Sequence, residues 1–269
     1  MKIEDVFGAG KVGAEAVKQV VEVVKEPVSN LVNPVTETAG QRLSEIVNLV
    51  FTPIELAKIY KDHKLDIFKD SLNAKIDLIP EDKRVSPPLN IVGPALEAAK
   101  FYIEDESLRE MFAELIASAM NSDKAGLAHP SFEAIIRQLS PLDAKFISMF
   151  KYQSTYPTCD LQATKEGTVT PFINTLFDFK ERQIEFSNDE YLNLTSSLDN
   201  LMRLGMIFKN MEILTLDYDY EIFKNSSVYE ECVQVANNND LGMLKILKSR
   251  IELTSFGWNF FKCCIAQEN

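Results

Sequence analysis

The stretch Asp105–Phe150, DESLREMFAELIASAMNSDKAGLAHPSFEAIIRQLSPLDAKFISMF, carries three successive sets of helix start and stop signals, and it constrains the fold more than any other part of the chain. Leu108, Met111, Phe112, Leu115, Ile116, Ala119 and Met120 recur at the three-and-four spacing of one helical face, and Asn121 to Gly126 supplies a loop. Pro130 predicts the start of a second helix, because a proline in the first turn gives up an N–H that lacks an intrahelical partner anyway. Phe132, Ile135, Ile136 and Leu139 form that helix's apolar stripe. Ser140-Pro141-Leu142-Asp143 predicts a third start, with Ser140 as N-cap and Asp143 reaching back as the reciprocal cap.

Upstream, prolines divide the chain into further helices. Val12, Ala16, Val20, Val21 and Val24 make one apolar face before Pro27, and Gln41 to Phe51 resumes the pattern. Thr52-Pro53-Ile54-Glu55 is a capping box, with Thr52 and Glu55 as its partners, launching a helix from Pro53 to about Leu78. Ile79 to Pro88 holds three prolines among charges and predicts an extended connector, after which Pro94 to Tyr102 opens the central helical block. From Tyr152 the texture changes: Thr155 to Thr170 is rich in threonine and marks a second boundary. The reading is an N-terminal helical region over 1–79, a central helical domain over 80–153 and a C-terminal domain over 154–269.

In that last part Tyr191, Leu194, Leu198, Leu201 and Leu204 form an amphipathic stripe, closed by Gly205 as a left-handed cap. Met206–Phe208 and Ile213–Ile222 alternate as strands do, and Leu253-Thr254-Ser255-Phe256-Gly257 ends a third strand and caps a terminal helix through Cys264. Helix, glycine, short strands and a capped last helix is the order of a winged-helix-like α+β domain with a small sheet. The fold class is therefore mainly α with such a C-terminal end.

The net charge of −12 opposes approach to a phosphate backbone. The helix that would enter a major groove, Asp189 to Leu204, sets Asp189, Glu190 and Asp199 against Arg203 alone, so nucleic acid is not the expected partner. No signal-peptide core is visible at the start, and the four cysteines lack disulfide or zinc spacing, which fits a reducing cytoplasm. Ile46 to Tyr60, shorter than a membrane span and interrupted by Asn48, Pro53, Glu55 and Lys58, reads as a buried segment.

Candidate chemistry is sparse. Gly8-Ala9-Gly10-Lys11-Val12-Gly13 has dinucleotide-loop spacing, but lacks a preceding strand and carries Val12 where a P-loop needs Ser or Thr. Glu106, Glu110 and Glu114 share a helical face without the Glu-x-x-His pairing of di-metal helical sites, and read as a solvated stripe. His129 stands where an imidazole caps or packs near a helix start; as a catalytic base it would need Ser131, Ser140 or Cys159 beside it and an orienting acid. Cys263-Cys264 reads as a pair of small core residues, with redox or metal chemistry as the rival. His129, Cys263 and Cys264 stay as functional candidates, and no catalytic, cofactor or metal set is expected.

Taken together, Pro88, Ala95-Leu96-Glu97, Glu106 to Met120, His129-Pro130-Ser131-Phe132 and Gln138 to Ala144 resemble the abortive infection alpha family of bacteria. The phrases HPSF and LSPLDA carry the resemblance, which extends more weakly through Leu198–Gly205 and Leu253–Cys264. Membership implies antiphage defence, in which an infected cell stops growing before phage matures, and it implies no catalytic residues. The expectation is a non-enzymatic cytoplasmic protein that binds protein partners, either a phage-derived trigger or a toxin or effector. Self-association, a peripheral inner-membrane contact through Lys11, Lys18 and Lys25, and a winged-helix DNA-binding regulator are the rival outcomes.

Overall fold

The computed structural model describes residues 62–177 and 188–265, together with 39–41, 43–47 and 50 of an earlier helical stretch. The glycine-rich segment Gly8–Gly13, the valine-rich helix after it and the capping box of Thr52 and Glu55 lie outside the described residues. Leu43, Ile46 and Val47 are buried, as expected for the start of the apolar segment near Ile46.

Helix α1 (Asp62–Asp77) continues the helix expected from Pro53. A short 3-10 turn (Glu81–Lys83) follows in the proline connector, and α2 spans Leu89–Tyr102. Helix α2 thus begins a turn and a half before Pro94, where the sequence pattern had set its start. The correction has a simple cause: Ile91 and Val92 both donate to the carbonyl of Pro88, so the helix is already nucleated when Pro94 arrives, and the proline forfeits a single backbone bond near the N-terminal end.

The central helix α3 (Glu106–Ala119) starts at Asp105, whose side chain accepts the Leu108 N–H at 2.9 Å. Ten of its residues are buried, on more than one face, so it forms the axis of the helical core. Around it pack α1, α2, the five-residue α4 (Phe132–Ile136), α5 (Pro141–Ser148) and the terminal α8 (Ser255–Cys264).

Four antiparallel strands form one sheet in the order β2-β1-β4-β3. Strands β1 (Thr155–Lys165) and β2 (Thr168–Phe177) make a hairpin that the sequence pattern did not announce. Its turn is Glu166-Gly167, both at positive φ, the two-residue geometry whose twist matches that of the flanking strands. Helix α6 (Asn188–Arg203) then ends at Gly205, where Met206 N–H reaches the Leu201 carbonyl and Gly205 N–H the Met202 carbonyl, both at 2.9 Å. That is the expected left-handed cap, with Gly205 at φ +70°. Strand β3 (Ile207–Asn210) follows at the sheet edge, and β4 (Met243–Leu253) returns between β1 and β3.

One expectation for residues 211–242 needs correction. Ile213–Ile222 is not a strand: Asn210 Oδ1 accepts the N–H groups of both Glu212 and Ile213 at 3.0 Å, which turns the chain off the edge of β3. The chain then runs as a loop into a 3-10 helix (Tyr220–Asn225) and an unanticipated α7 (Ser227–Asn238), capped by Ser226.

One face of the sheet presents Tyr156, Ile251, Leu253 and Ile207 to the helical core. The opposite face sets Cys159, Leu161, Leu244 and Ile246 against Tyr220, Phe223 and Cys232. The main cluster of buried side chains is continuous from Leu43 to Ile265. Where α8 meets the sheet there is no room for a side chain: a Cβ on Gly257 would lie 1.9 Å from the Met206 carbonyl oxygen. Gly257→Ala is therefore expected to lower stability by about 1–3 kcal/mol, even though alanine is the better helix former. Chemical denaturation measures this, and an unchanged or raised midpoint would contradict the close approach.

Candidate functional site

The phrase LSPLDA is a clamp between helices. Ser140 and Asp143 form the expected capping box, Asp143 N–H donating to Ser140 Oγ at 3.1 Å and Ser140 N–H to Asp143 Oδ2 at 2.7 Å. Sequence could not show the rest. Asp143 is buried, and it also accepts from Ser197 Oγ and from Asn200 Nδ2 at 2.9 Å, both on α6. Asn200 donates again to the Gln138 carbonyl at 2.9 Å, and Arg203 reaches Gln138 Oε1 and Asn200 Oδ1. A single carboxylate thus starts α5 and seats α6 on it.

The phrase HPSF builds a second joint. His129 Nδ1 accepts the Ser131 N–H at 3.1 Å and lies 2.7 Å from Ser131 Oγ, while the exposed ring packs on Phe132 and edge-on to Phe256. Structure therefore brings His129 and Ser131 together, but as the cap of a two-residue turn. The hydrogen bonds of the imidazole go to Ser131 and not to a carboxylate, so the orienting acid of a catalytic set is missing among the described residues. Cys159 belongs to the cluster on the far face of the sheet, and Ser140 is engaged in its own cap.

Glu110 and Glu114 are neither a metal stripe nor a solvated face. Lys75 of α1 sits 3.2 Å from Glu110 and 3.3 Å from Glu114, Lys124 stands 3.4 Å from Glu114, and Ser71 Oγ donates to Glu110 at 2.6 Å. The carboxylates are answered by cations from two other segments, while Glu106 stays exposed. No group of three metal-binding side chains occurs among the described residues.

Cys263 and Cys264 are both buried. Desolvation pushes the Cys263 thiol up to about 11 and Cys264 well above the ordinary range; Cys159 is raised to about 12, by burial first and by Asp160 second. Such thiols are held protonated and are poor nucleophiles. Because the folded thiols keep protons that unfolded ones release from about pH 9, stability is expected to fall as pH rises from about 9 toward 11 and 12. Urea midpoints at pH 7 and pH 10 test this, and a midpoint that rises would contradict it.

Two features of the sheet were not read from the sequence. At the β1–β2 register shift, Thr175 adopts φ +71°, a strained state for a β-branched residue. Its N–H donates to Asp160 Oδ1 at 2.8 Å, and Lys209 Nζ of β3 donates to both Asp160 oxygens at 2.9 Å and to Thr175 Oγ1 at 3.2 Å. Lys209 is thus engaged by its counter-ion.

The second feature is a surface. Phe208, Met211, Ile213, Leu214 and Leu216 are all exposed, within nine residues at the open edge of the sheet. The loop is held: Asn210 fixes its start, Arg250 donates to the Leu214 carbonyl, and Thr215 N–H donates to Tyr220 Oη at 3.2 Å. The loop thus holds its exposed apolar side chains in a fixed place beside the edge strand.

The sequence model of the family described as abortive infection alpha matches residues 60–264. The chain belongs to the abortive infection alpha family. Both HPSF and LSPLDA fall inside the matched span, where they join α4 to α8 and α5 to α6. No curated protein matches the chain. Among solved structures it is similar to an uncharacterized protein from the hydrocarbon-degrading marine bacterium Alcanivorax borkumensis SK2, at 14% identity, over 54% of this chain and 96% of that one, with a TM-score of 0.34. Within the described residues of this abortive infection alpha protein, no helix is long and apolar enough to cross a membrane.

Proposed function

We propose that this is a non-enzymatic antiphage defence protein of the abortive infection type, acting through protein contacts made by the loop that follows β3. Family membership supports the biological role, and the anchored loop with its outward Met211, Ile213, Leu214 and Leu216 supports the mode of action. The partner is a phage-derived trigger or a toxin or effector of the host, with a second copy of the chain as a further candidate.

A winged-helix-like reading suits this surface. Helix α6, the glycine cap, edge strand β3, a long excursion and the return strand β4 set between β1 and β3 follow the order of such a domain, and the excursion takes the place of the wing. DNA contact by α6 is disfavoured, because Arg203 is already bonded to Gln138 and Asn200.

The test is phage challenge of cells expressing the full chain or Leu214→Ser/Leu216→Ser. Both side chains are exposed, so stability should change by no more than about 0.5 kcal/mol. Wild type is expected to reduce plaque formation and the variant to lose most of that protection at equal expression. Full protection by the variant would remove the loop from the mechanism, and no protection by the wild type across unrelated phages would remove the defence role.

A further inference from the structure

The loop after β3 lies in the most acidic segment of the described chain. Residues 211–242 carry Glu212, Asp217, Asp219, Glu221, Glu230, Glu231 and Asp240 against Lys224 alone, a net of −6 out of −12 for the whole protein. All seven carboxylates are exposed. Lys224 is consumed locally by Glu221, and Lys165 of the hairpin answers Asp240. Nearer the apolar side chains, Glu212 and Asp217 make no ion pair with any described residue. Of the cations on the sheet, Lys209 is taken by Asp160 and Arg250 by Glu252, both at 2.9 Å, while Lys248 lies over the Tyr220 ring and 4.0 Å from Glu221. The surface therefore combines outward apolar groups with uncompensated negative charge.

We infer that this loop receives a cationic amphipathic segment of a partner protein, one in which Lys or Arg alternates with Leu-like side chains along one face. The inference rests on the reading of the loop as the working surface and adds the chemistry of what it binds. Apolar contact alone would accept many partners; the carboxylates select among them, because a wrong-sign approach costs energy and a right-sign approach is steered. The anchors at Asn210, Arg250 and Tyr220 already hold the loop, so less conformational freedom is lost on association. The same charge argues against the two other surfaces a bacterial cell offers. Anionic lipid and nucleic acid both present negative charge, and both would be repelled by residues 211–242.

The experiment uses the purified full chain and a fluorescein-labelled amphipathic helix of leucine and lysine, read by anisotropy. A peptide with the same pattern of leucine and glutamate serves as the sign control. Binding of the lysine peptide is expected to saturate, to weaken with salt, and to drop about tenfold or more in Leu214→Ser/Leu216→Ser and in Glu212→Lys/Asp217→Asn. Asparagine keeps the left-handed backbone that Asp217 adopts at φ +55°. Glu81→Lys/Asp82→Asn, an equal charge change on the exposed 3-10 turn after α1, is expected to leave binding within about twofold.

The inference is overturned if the glutamate peptide binds as tightly, if the distant charge change weakens binding as much, or if Glu212→Lys/Asp217→Asn changes nothing. Flotation with phosphatidylglycerol vesicles that depends on Leu214 and Leu216 would also overturn it. Phage challenge separates the two levels. Loss of protection in Leu214→Ser/Leu216→Ser but full protection in Glu212→Lys/Asp217→Asn keeps the loop and discards the cationic partner, whereas full protection in both discards the loop itself.

Discussion

Phe132→Ala is expected to reduce the stability of the folded chain by about 3–5 kcal/mol, a large share of what a domain of ordinary stability has to lose. Phe132 is fully buried, with its ring 5.2 Å from Phe256 and 5.3 Å from Phe260 of α8. Its own helix, α4, is five residues long and has no independent stability. Truncation would open a cavity at the point where α4 is pinned to α8, and α8 is in turn packed against α3. The loss should appear as a lower urea midpoint with an unchanged slope. His129→Ala, which removes an exposed cap and leaves the cavity filled, should cost only about 1 kcal/mol. If the two substitutions cost the same, HPSF is not the aromatic joint described above.

Much of the helical architecture was legible, because caps are local. In their capping roles Ser140, Asp143, Gly205 and Thr254 act on residues close to them in the chain, so the sequence carries that part of the signal; Thr254 Oγ1, for example, accepts the Gly257 N–H at 2.8 Å. Strand β1 was illegible for the opposite reason. Its first half is buried on both faces, so it does not alternate, and Thr158, which reads as polar, pairs its hydroxyl with Ser249 across the sheet at 2.8 Å. Pro157 also argues against a central strand, yet it sits just before the first residue paired to β2, where β1 has one neighbour.

The error at Ile213–Ile222 came from a true pattern with another cause. Tyr218, Tyr220 and Phe223 pack together on the second face of the sheet, and their spacing mimics strand alternation while the preceding apolar residues stay in solvent. The exposed loop was therefore read as an alternating strand. The Glu110–Glu114 stripe was misassigned because Lys75 and Lys124 come from other segments, which periodicity along one helix cannot reveal. Of the candidate residues, His129 accepts the Ser131 N–H in a turn and Cys263 and Cys264 are buried.

Asp143→Ala is expected to destabilise by about 3 kcal/mol and to loosen α6 more than α5. The carboxylate serves three donors at once: the Ser140 N–H, Ser197 Oγ and Asn200 Nδ2. Loss of the cap alone is worth about 1 kcal/mol, so any cost well beyond that measures the bonds to α6. Ser197 is buried, and its hydroxyl would be left without its acceptor. Asp143→Asn separates charge from shape, since an amide keeps one acceptor for the cap but presents a donor where the second oxygen received one. It should fall between wild type and alanine. Amide exchange should show the faster opening on α6, at the Ser197–Leu201 backbone, with α5 less affected, because α5 keeps Pro141 in its first turn and its buried Phe146 and Ile147. The reverse order would mean that Asp143 serves its own helix first, and that the seating of α6, and with it β3 and the exposed loop, depends on the apolar contacts of Leu194, Leu198 and Leu201 alone.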